Sequence, residues 1–374
     1  MNRRQFVGMS SALLGTSVVI GCSLTAATKP GHPSPAARNL YRRAVVLDAN
    51  LGPGFDDSLP LPEASLARYR ESGLTAIKST LGGFGNDFES TLAEIGFYLR
   101  VMEIHPDAFM QLRSASDFAT AKRAGRLGII FSFEGVAMLE GKVERIQLFR
   151  DLGVRVMQLS YNTASPFAAG VLASPESGLT DLGRSAVEKM NELGVSIDLS
   201  HANARTTSDV IALSRQSVLV THAGCAAVHE HPRNKTDQQL RAIAEKGGVV
   251  GIYDLPYLTP SPRQPTLEDY MAHMGHALQT CGEDHVGIGS DTSVQAFDTS
   301  PDSMAKFNRL VAERRARGVG APGEDRPPFV EGLNTPLRCQ IIADSLLEKG
   351  YPSRVAEKVL GANFVRAFSE IWKS

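Results

Sequence analysis

The sequence predicts an α/β fold, a (β/α)8 barrel of the TIM type, and three observations carry that prediction. From residue 38 onward, short apolar runs rich in β-branched residues alternate with stretches of helical periodicity, the pattern of βα units on a parallel sheet. The boundary grammar repeats: Leu152-Gly153-Val154 and Leu193-Gly194-Val195 each read as a helix end, a glycine that accepts a left-handed turn, and a strand start. Several runs also stop on His, Glu or Asp, and the carboxyl ends of parallel strands are where a barrel builds its site.

The strand-like runs are 44–48, 75–79, 128–133, 155–160, 195–199, 217–221, 248–253 and 286–290, eight in all. Between them the periodicity predicts helices over 62–72, 88–104, 116–124, 143–152, 180–193, 205–214, 237–246 and 266–281. Pro62 suits a first helical position, where its missing N–H costs nothing, and Gly73 follows the end of that stretch. Asp237 opens an amphipathic stretch with a side-chain acceptor, and Gly247 and Gly248 close it. The irregular section 295–336 holds a basic helical piece (304–317) and a Pro/Gly-rich loop (318–328), expected to cover the rim. The tail 337–372 reads as two helices joined through Lys349-Gly350-Tyr351-Pro352 and packed against the barrel.

A chain of 374 residues, 43% hydrophobic, supports one large core, and the whole of 38–374 reads as a single domain. Net charge is -1, with no basic tract and no aromatic-basic interleaving, so no nucleic-acid partner is expected. Cys22, Cys225, Cys281 and Cys339 form no CxxC pair and are too few for a disulfide scaffold; the last three are expected reduced and buried.

At the amino terminus Asn2-Arg3-Arg4-Gln5-Phe6-Val7 precedes an apolar segment from Met9 to Ile20, too short to span a bilayer comfortably. It reads as a twin-arginine export signal over 1–21. The ending Val19-Ile20-Gly21-Cys22 looks like a bacterial lipobox, so Cys22 is the expected lipidated amino terminus, followed by a flexible tether over 22–37. The location expected is the periplasmic side, after export across the bacterial inner membrane and held by that anchor, with inner or outer membrane and a homodimer left open.

His201 and His222 end the fifth and sixth runs, Glu134 ends the third and Asp291 the eighth. One such histidine is commonly a satisfied core residue; two on successive strands, with carboxylates beside them, suit a metal hydrolase, and this ligand mix suits zinc with a position open for water. Gly135 lets the chain turn away after Glu134. Asp198 is a candidate to orient an imidazole, although strict alternation puts it on the face opposite His201. Asp291 is a candidate metal ligand or proton carrier, and Gly289 gives close backbone approach beside it. Arg233, in the loop His229-Glu230-His231-Pro232-Arg233-Asn234-Lys235, offers a bidentate fork to a substrate carboxylate.

At Phe133-Glu134-Gly135, Asp198-Leu199-Ser200-His201, Thr221-His222, His231-Pro232-Arg233-Asn234, 285–291 and 361–366, in that order, the chain resembles the membrane dipeptidase family, peptidase M19. The resemblance implies a barrel binding two zinc ions and hydrolysing dipeptides. It implies Glu134 bridging the metals, His201 and His222 holding one of them, Asp291 serving the other and moving protons, and Arg233 holding the substrate carboxylate. The chain departs in its first strand. Where the family has Asp-Gly-His-x-Asp, it has Asp48-Ala49-Asn50-Leu51-Gly52, so both ligand positions are lost.

Asn50 offers a neutral amide and Gly52 no side chain, so one zinc is expected, on Glu134, His201 and His222. Asp48 and Asn50 are the fallback ligands for a second, with Asp56 and Asp57 nearby. Tyr161 stands where the family often has an oxyanion-stabilising histidine, and a phenol donates the same hydrogen bond. The function expected is an exported zinc dipeptidase. Its rivals are a non-hydrolytic periplasmic binding or maturation factor on the same scaffold, and an amide or lactone hydrolase that keeps the metal but not the carboxylate role of Arg233.

Overall fold

The computed structural model describes residues 33–372 except 57 and 84–86. The export signal, Cys22, Asp57 and the tether up to residue 32 lie outside the described residues. What is described of the tether is not extended linker: a helix begins at Pro35 and runs to Arg43, capped by the Ser34 hydroxyl. Pro35 supplies a preset φ at the first helical position, and Ser34 is tied across the chain to Asp344, which docks this helix on the tail.

The eight expected runs all become strands: β1 (Leu47–Asp48), β2 (Ala76–Thr80), β3 (Leu127–Phe133), β4 (Val154–Met157), β5 (Ser196–Ile197), β6 (Val220–Ala223), β7 (Val250–Ile252) and β8 (Val286–Ile288). Each pairs in parallel with its neighbour in sequence, and β1 pairs β8 through Asp48 and Ile288. The ring closes between β5 and β6 on a parallel bridge at Asp198 and Leu219, where Leu199 N donates to Leu219 O (2.7 Å) and Leu219 N to Ile197 O (2.9 Å). Being buried on both faces, the strands need no alternation, which is why they read as continuous apolar runs.

Two short pairings were not foreseen. Phe109–Gln111 runs beside the first half of β3, because β4 pairs with β3 only from Phe131 onward and the earlier backbone groups need another partner. Above β1 and β8, Leu51–Gly52 pairs with Thr292–Ser293. Between this pair and the Asp48–Ile288 pair lie residues 49 and 50 on one strand but 289, 290 and 291 on the other, so β8 carries a one-residue bulge. Asp291 takes up the extra residue at φ 57, a left-handed conformation uncommon for a non-glycine side chain, and its N–H bonds Asn50 O at 2.6 Å.

Most helices match within a residue or two: Phe88–Ile104 and Ser116–Ala124 coincide with expectation, and the basic piece is a helix over Pro301–Ala316. Two starts are corrected: Pro62 is the N-cap of Glu63–Ser72 and not its first helical residue. Thr236, not Asp237, caps Asp237–Glu245, forming a reciprocal box with Gln239. The tail helices pack as expected. Phe364, Phe368 and Trp372 stack with Phe118 below the barrel, and the Trp372 indole donates to Ser196 Oγ at 3.0 Å. Cys225, Cys281 and Cys339 are free thiols and buried. No helix of the described residues is long and apolar enough to cross a membrane.

Candidate metal centre

Glu134 follows the last residue of β3, His201 lies just beyond β5, and His222 is within β6. Gly135, at φ 153, turns the chain away and leaves the Glu134 carboxylate over the barrel mouth. One ligand atom from each of Glu134, His201 and His222 lies within 4.8 Å of the others, and all three side chains are buried. The two Nε2 atoms stand 3.1 Å apart.

The hydrogen bonds behind the rings fix their protons. Asn162 Nδ2 donates to Val319 O (2.9 Å), so Asn162 Oδ1 is the acceptor facing His201 Nδ1 at 2.7 Å, and that nitrogen carries the hydrogen. Thr221 Oγ1 donates to Asp198 Oδ2 (2.5 Å), leaving a lone pair toward His222 Nδ1 at 2.9 Å. Both Nε2 atoms therefore present lone pairs to one point, beside a carboxylate. Such a donor set repels itself unless a cation lies among it, and a divalent metal fits.

Asp198 does not touch His201, yet it organises both rings. Its oxygens accept from Ser200 N (3.0 Å), Ser200 Oγ (2.5 Å), Thr221 N (3.0 Å), Thr221 Oγ1 and Gln158 Nε2 (2.8 Å). Ser200 Oγ in turn meets His222 N, and Gln158 Oε1 meets His201 N. Lys78, fully buried on β2, faces Asp198 at 3.9 Å and balances its charge. Gly289 is required across the mouth, because a Cβ there would lie 1.8 Å from Thr221 O.

The β1–β8 side is built differently. Asp48 turns away from the histidines: it accepts from Ser290 N (2.9 Å), Ser290 Oγ (2.6 Å) and Asn50 N (3.1 Å), so it braces the bulge and is not among the converging ligands. Asp56 is likewise engaged elsewhere, by Ser65 Oγ. Asn50 Nδ2 donates to Glu134 Oε1 and to Asp291 Oδ1, each at 2.8 Å, while Thr80 Oγ1 adds a bond to Glu134 Oε1 at 3.0 Å. Asp291 Oδ2 lies 4.0 Å from His222 Nε2. Just after β7, buried Asp254 sits 3.5 Å from Arg338, and burial pushes its carboxyl up to about 7.

Tyr161 stacks on His201 with ring centroids 4.2 Å apart. Its hydroxyl accepts from Arg314 Nη2 at 3.1 Å, and Arg314 Nε is anchored on Glu324 at 2.6 Å. The helix Pro301–Ala316 and the loop after it thus cover the rim, with Pro322 O also bonding His231 Nε2 at 2.8 Å. Arg233, only 2% exposed, has Nε and Nη2 without hydrogen-bond partners among the described residues. Lys235, fully buried, donates to Ala202 O at 2.9 Å, and burial depresses its ammonium to about 7. Sequence reading missed Asn162, Gln158, Thr221, Thr80 and Arg314, since an amide, a hydroxyl or a distant arginine carries no local signature of whom it will face.

The family model for membrane dipeptidase, peptidase family M19, matches residues 75–323. The chain belongs to this family. It is 32% identical over 233 residues to a dipeptidase, verJ, of Clonostachys rogersoniana, covering 62% of this chain and 60% of that protein. The chain thus spans about 60% of the length of that relative, and the same share of a Claviceps purpurea dipeptidase, tcpJ, at 26% identity. Among solved structures it resembles an amidohydrolase from Pseudomonas aeruginosa (TM-score 0.75, 27% identity, 90% of this chain and 99% of that one). A Rhodobacter sphaeroides metallo peptidase bound to a phosphinate mimic of L-Ala-D-Ala shares the fold (TM-score 0.71, 21% identity, 88% and 99%). The M19 family is one of metallopeptidases, in keeping with the metal-ready triad.

Proposed function

We propose that the protein is a zinc-dependent dipeptidase, exported and held to the membrane by a lipid on Cys22. The observation that carries the substrate reading is Arg233, a planar guanidinium sealed from solvent with two N–H groups unsatisfied among the described residues. Leaving such donors unpaired costs about 1–3 kcal/mol, and a substrate carboxylate is the partner whose shape fits the fork. A zinc ion on Glu134, His201 and His222 supplies the Lewis acidity that activates water and polarises a carbonyl.

The chain's own groups do the rest. Asp291, fixed on its bulge, takes the proton of the attacking water and passes it to the leaving amine. The Tyr161 hydroxyl accepts from Arg314, which turns its proton outward, toward the oxyanion of the tetrahedral state. Arg233 follows β6, and diametrically across the ring from it the mouth opens into a cleft bordered by Asn50, Gly52, Phe55, Thr80 and Asp291, about 560 Å³ out to its open side.

The test compares a dipeptide with its carboxyl-terminal amide. The wild type is expected to prefer the free acid by about tenfold to a hundredfold, the worth of a charged hydrogen-bonded pair, and Arg233→Met to lose that preference. Equal rates on both substrates in the wild type sink the dipeptide reading and favour an amide hydrolase. The anchor is tested separately: Cys22→Ser should move the protein from the membrane to the soluble fraction.

A further inference from the structure

The β1–β8 side of the mouth brings two carboxylates, Glu134 and Asp291, within 2.8 Å of a single nitrogen. Carboxylates converging on one point repel unless something positive lies between them: a second cation, a shared proton, or a group with two N–H bonds. We propose that the Asn50 amide is that group, standing in for a second cation, and that the site therefore works with one metal. This rests on reading Glu134, His201 and His222 as a metal centre.

Three features of the fold support it. The amide has two hydrogens, one for each carboxylate, and Asn50 is 2% exposed, so solvent competes little for them. The residue is also locked in place: its N–H bonds Asp48 Oδ1 and its carbonyl takes the Asp291 N–H. Rotating the amide by half a turn would aim its oxygen at two carboxylates, leaving three acceptors facing one another. The Nδ2 orientation is thus the one that the two carboxylates select.

The missing ligand at Gly52 is a matter of chemistry and not of space. A Cβ built there has Thr292 O as its nearest neighbour at 3.5 Å, an ordinary contact, and it borders the open cleft. An acidic side chain would fit; the chain has none. Among the described residues, the groups bonded around the amide are two carboxylates and the hydroxyl of Thr80, and the His222 Nε2 that faces Asp291 at 4.0 Å belongs to the first metal's ligands. The consequence for chemistry is that Asp291 is held in position by a neutral hydrogen bond, with its second oxygen turned toward His222.

The experiment is zinc stoichiometry, read by equilibrium dialysis and elemental analysis on metal-stripped, refilled protein, with circular dichroism to establish folding. The wild type is expected to bind one equivalent. Asn50→Asp, of the same shape but with oxygen in place of NH2, gathers three carboxylates and is expected to bind two, as is the double variant Asn50→His with Gly52→Asp. Two equivalents in the wild type, or one in both folded variants, overturn the proposal. No zinc in the wild type overturns the metal centre itself, and that outcome is distinct from the other two.

Discussion

On the β5–β6 side of the mouth, two imidazoles are gripped by their Nδ1 atoms and aim both Nε2 lone pairs at one point. On the β1–β8 side, two carboxylates are drawn together by one amide, and the backbone is bulged to bring them there. The first arrangement fits a cation, and the second is the one proposed to replace one. What separates them is the layer behind. Asp198, Thr221, Gln158 and Asn162 fix tautomers and ring planes, whereas Asp48 and Ser290 fix a backbone kink. A metal site survives where its supporting hydrogen bonds leave lone pairs exposed, and closes where they present hydrogens.

The comparison breaks most readily at the ligands. Glu134→Ala and His222→Ala are each expected to lose bound metal and to reduce dipeptide turnover to background; a variant without metal that still turns over would refute the one-metal assignment. Next in size is Tyr161→Phe, which removes the proposed oxyanion donor, stacked on His201. It should cost about 10²–10³ in kcat with little change in KM. Asp198→Asn should then lower zinc affinity by about 10–100-fold, because it disturbs the support of both rings. Asp48→Asn, in the other half, should leave zinc affinity unchanged; a comparable loss there would erase the distinction between the two sides.

The smallest expected effect is on stability, and it has opposite sign in the two halves. Asp254, which follows β7 and bonds Ser290 O after β8, has a carboxyl raised by burial from 3.8 to about 7, so between those values the folded state holds a proton that the unfolded state has released. It favours folding below about pH 4, and that contribution is lost as pH rises to 7. Lys235, by β5–β6, is depressed from 10.5 to about 7, so over that window the unfolded state holds the extra proton and stability rises with pH. Asp254→Asn is therefore expected to raise Tm by a few degrees at pH 8 and not at pH 4, and Lys235→Met to flatten the slope between pH 7 and 10. Thermal melts across pH measure both.

Much of the barrel was legible because buried parallel strands and helix termini are local events. An apolar run such as 128–133 has few other fates, and Gly153 and Gly194 adopt the positive φ (99 and 66) that their place between helix and strand predicts. Phe109–Gln111 escaped notice since it is only three residues long and owes its strand to a vacant edge of β3. The Asp237 cap failed for a finer reason: two adjacent oxygen-bearing residues compete, and Thr236 wins by pairing with Gln239.

The sequence by itself determined the fold, the family and the triad of Glu134, His201 and His222, because strand ends and ligand types are written locally. It also put Asn and Gly, neither of them a zinc ligand, at positions 50 and 52. Only the tertiary structure decided how those positions are used. That Asn50 turns its NH2 and not its oxygen inward, that Asp48 faces the Ser290 backbone, and that Asp291 rides a bulge depend on partners some 80 to 240 residues away. A side chain's charge is a property of its sequence position, but the direction of its hydrogens is set by whatever the fold brings against it.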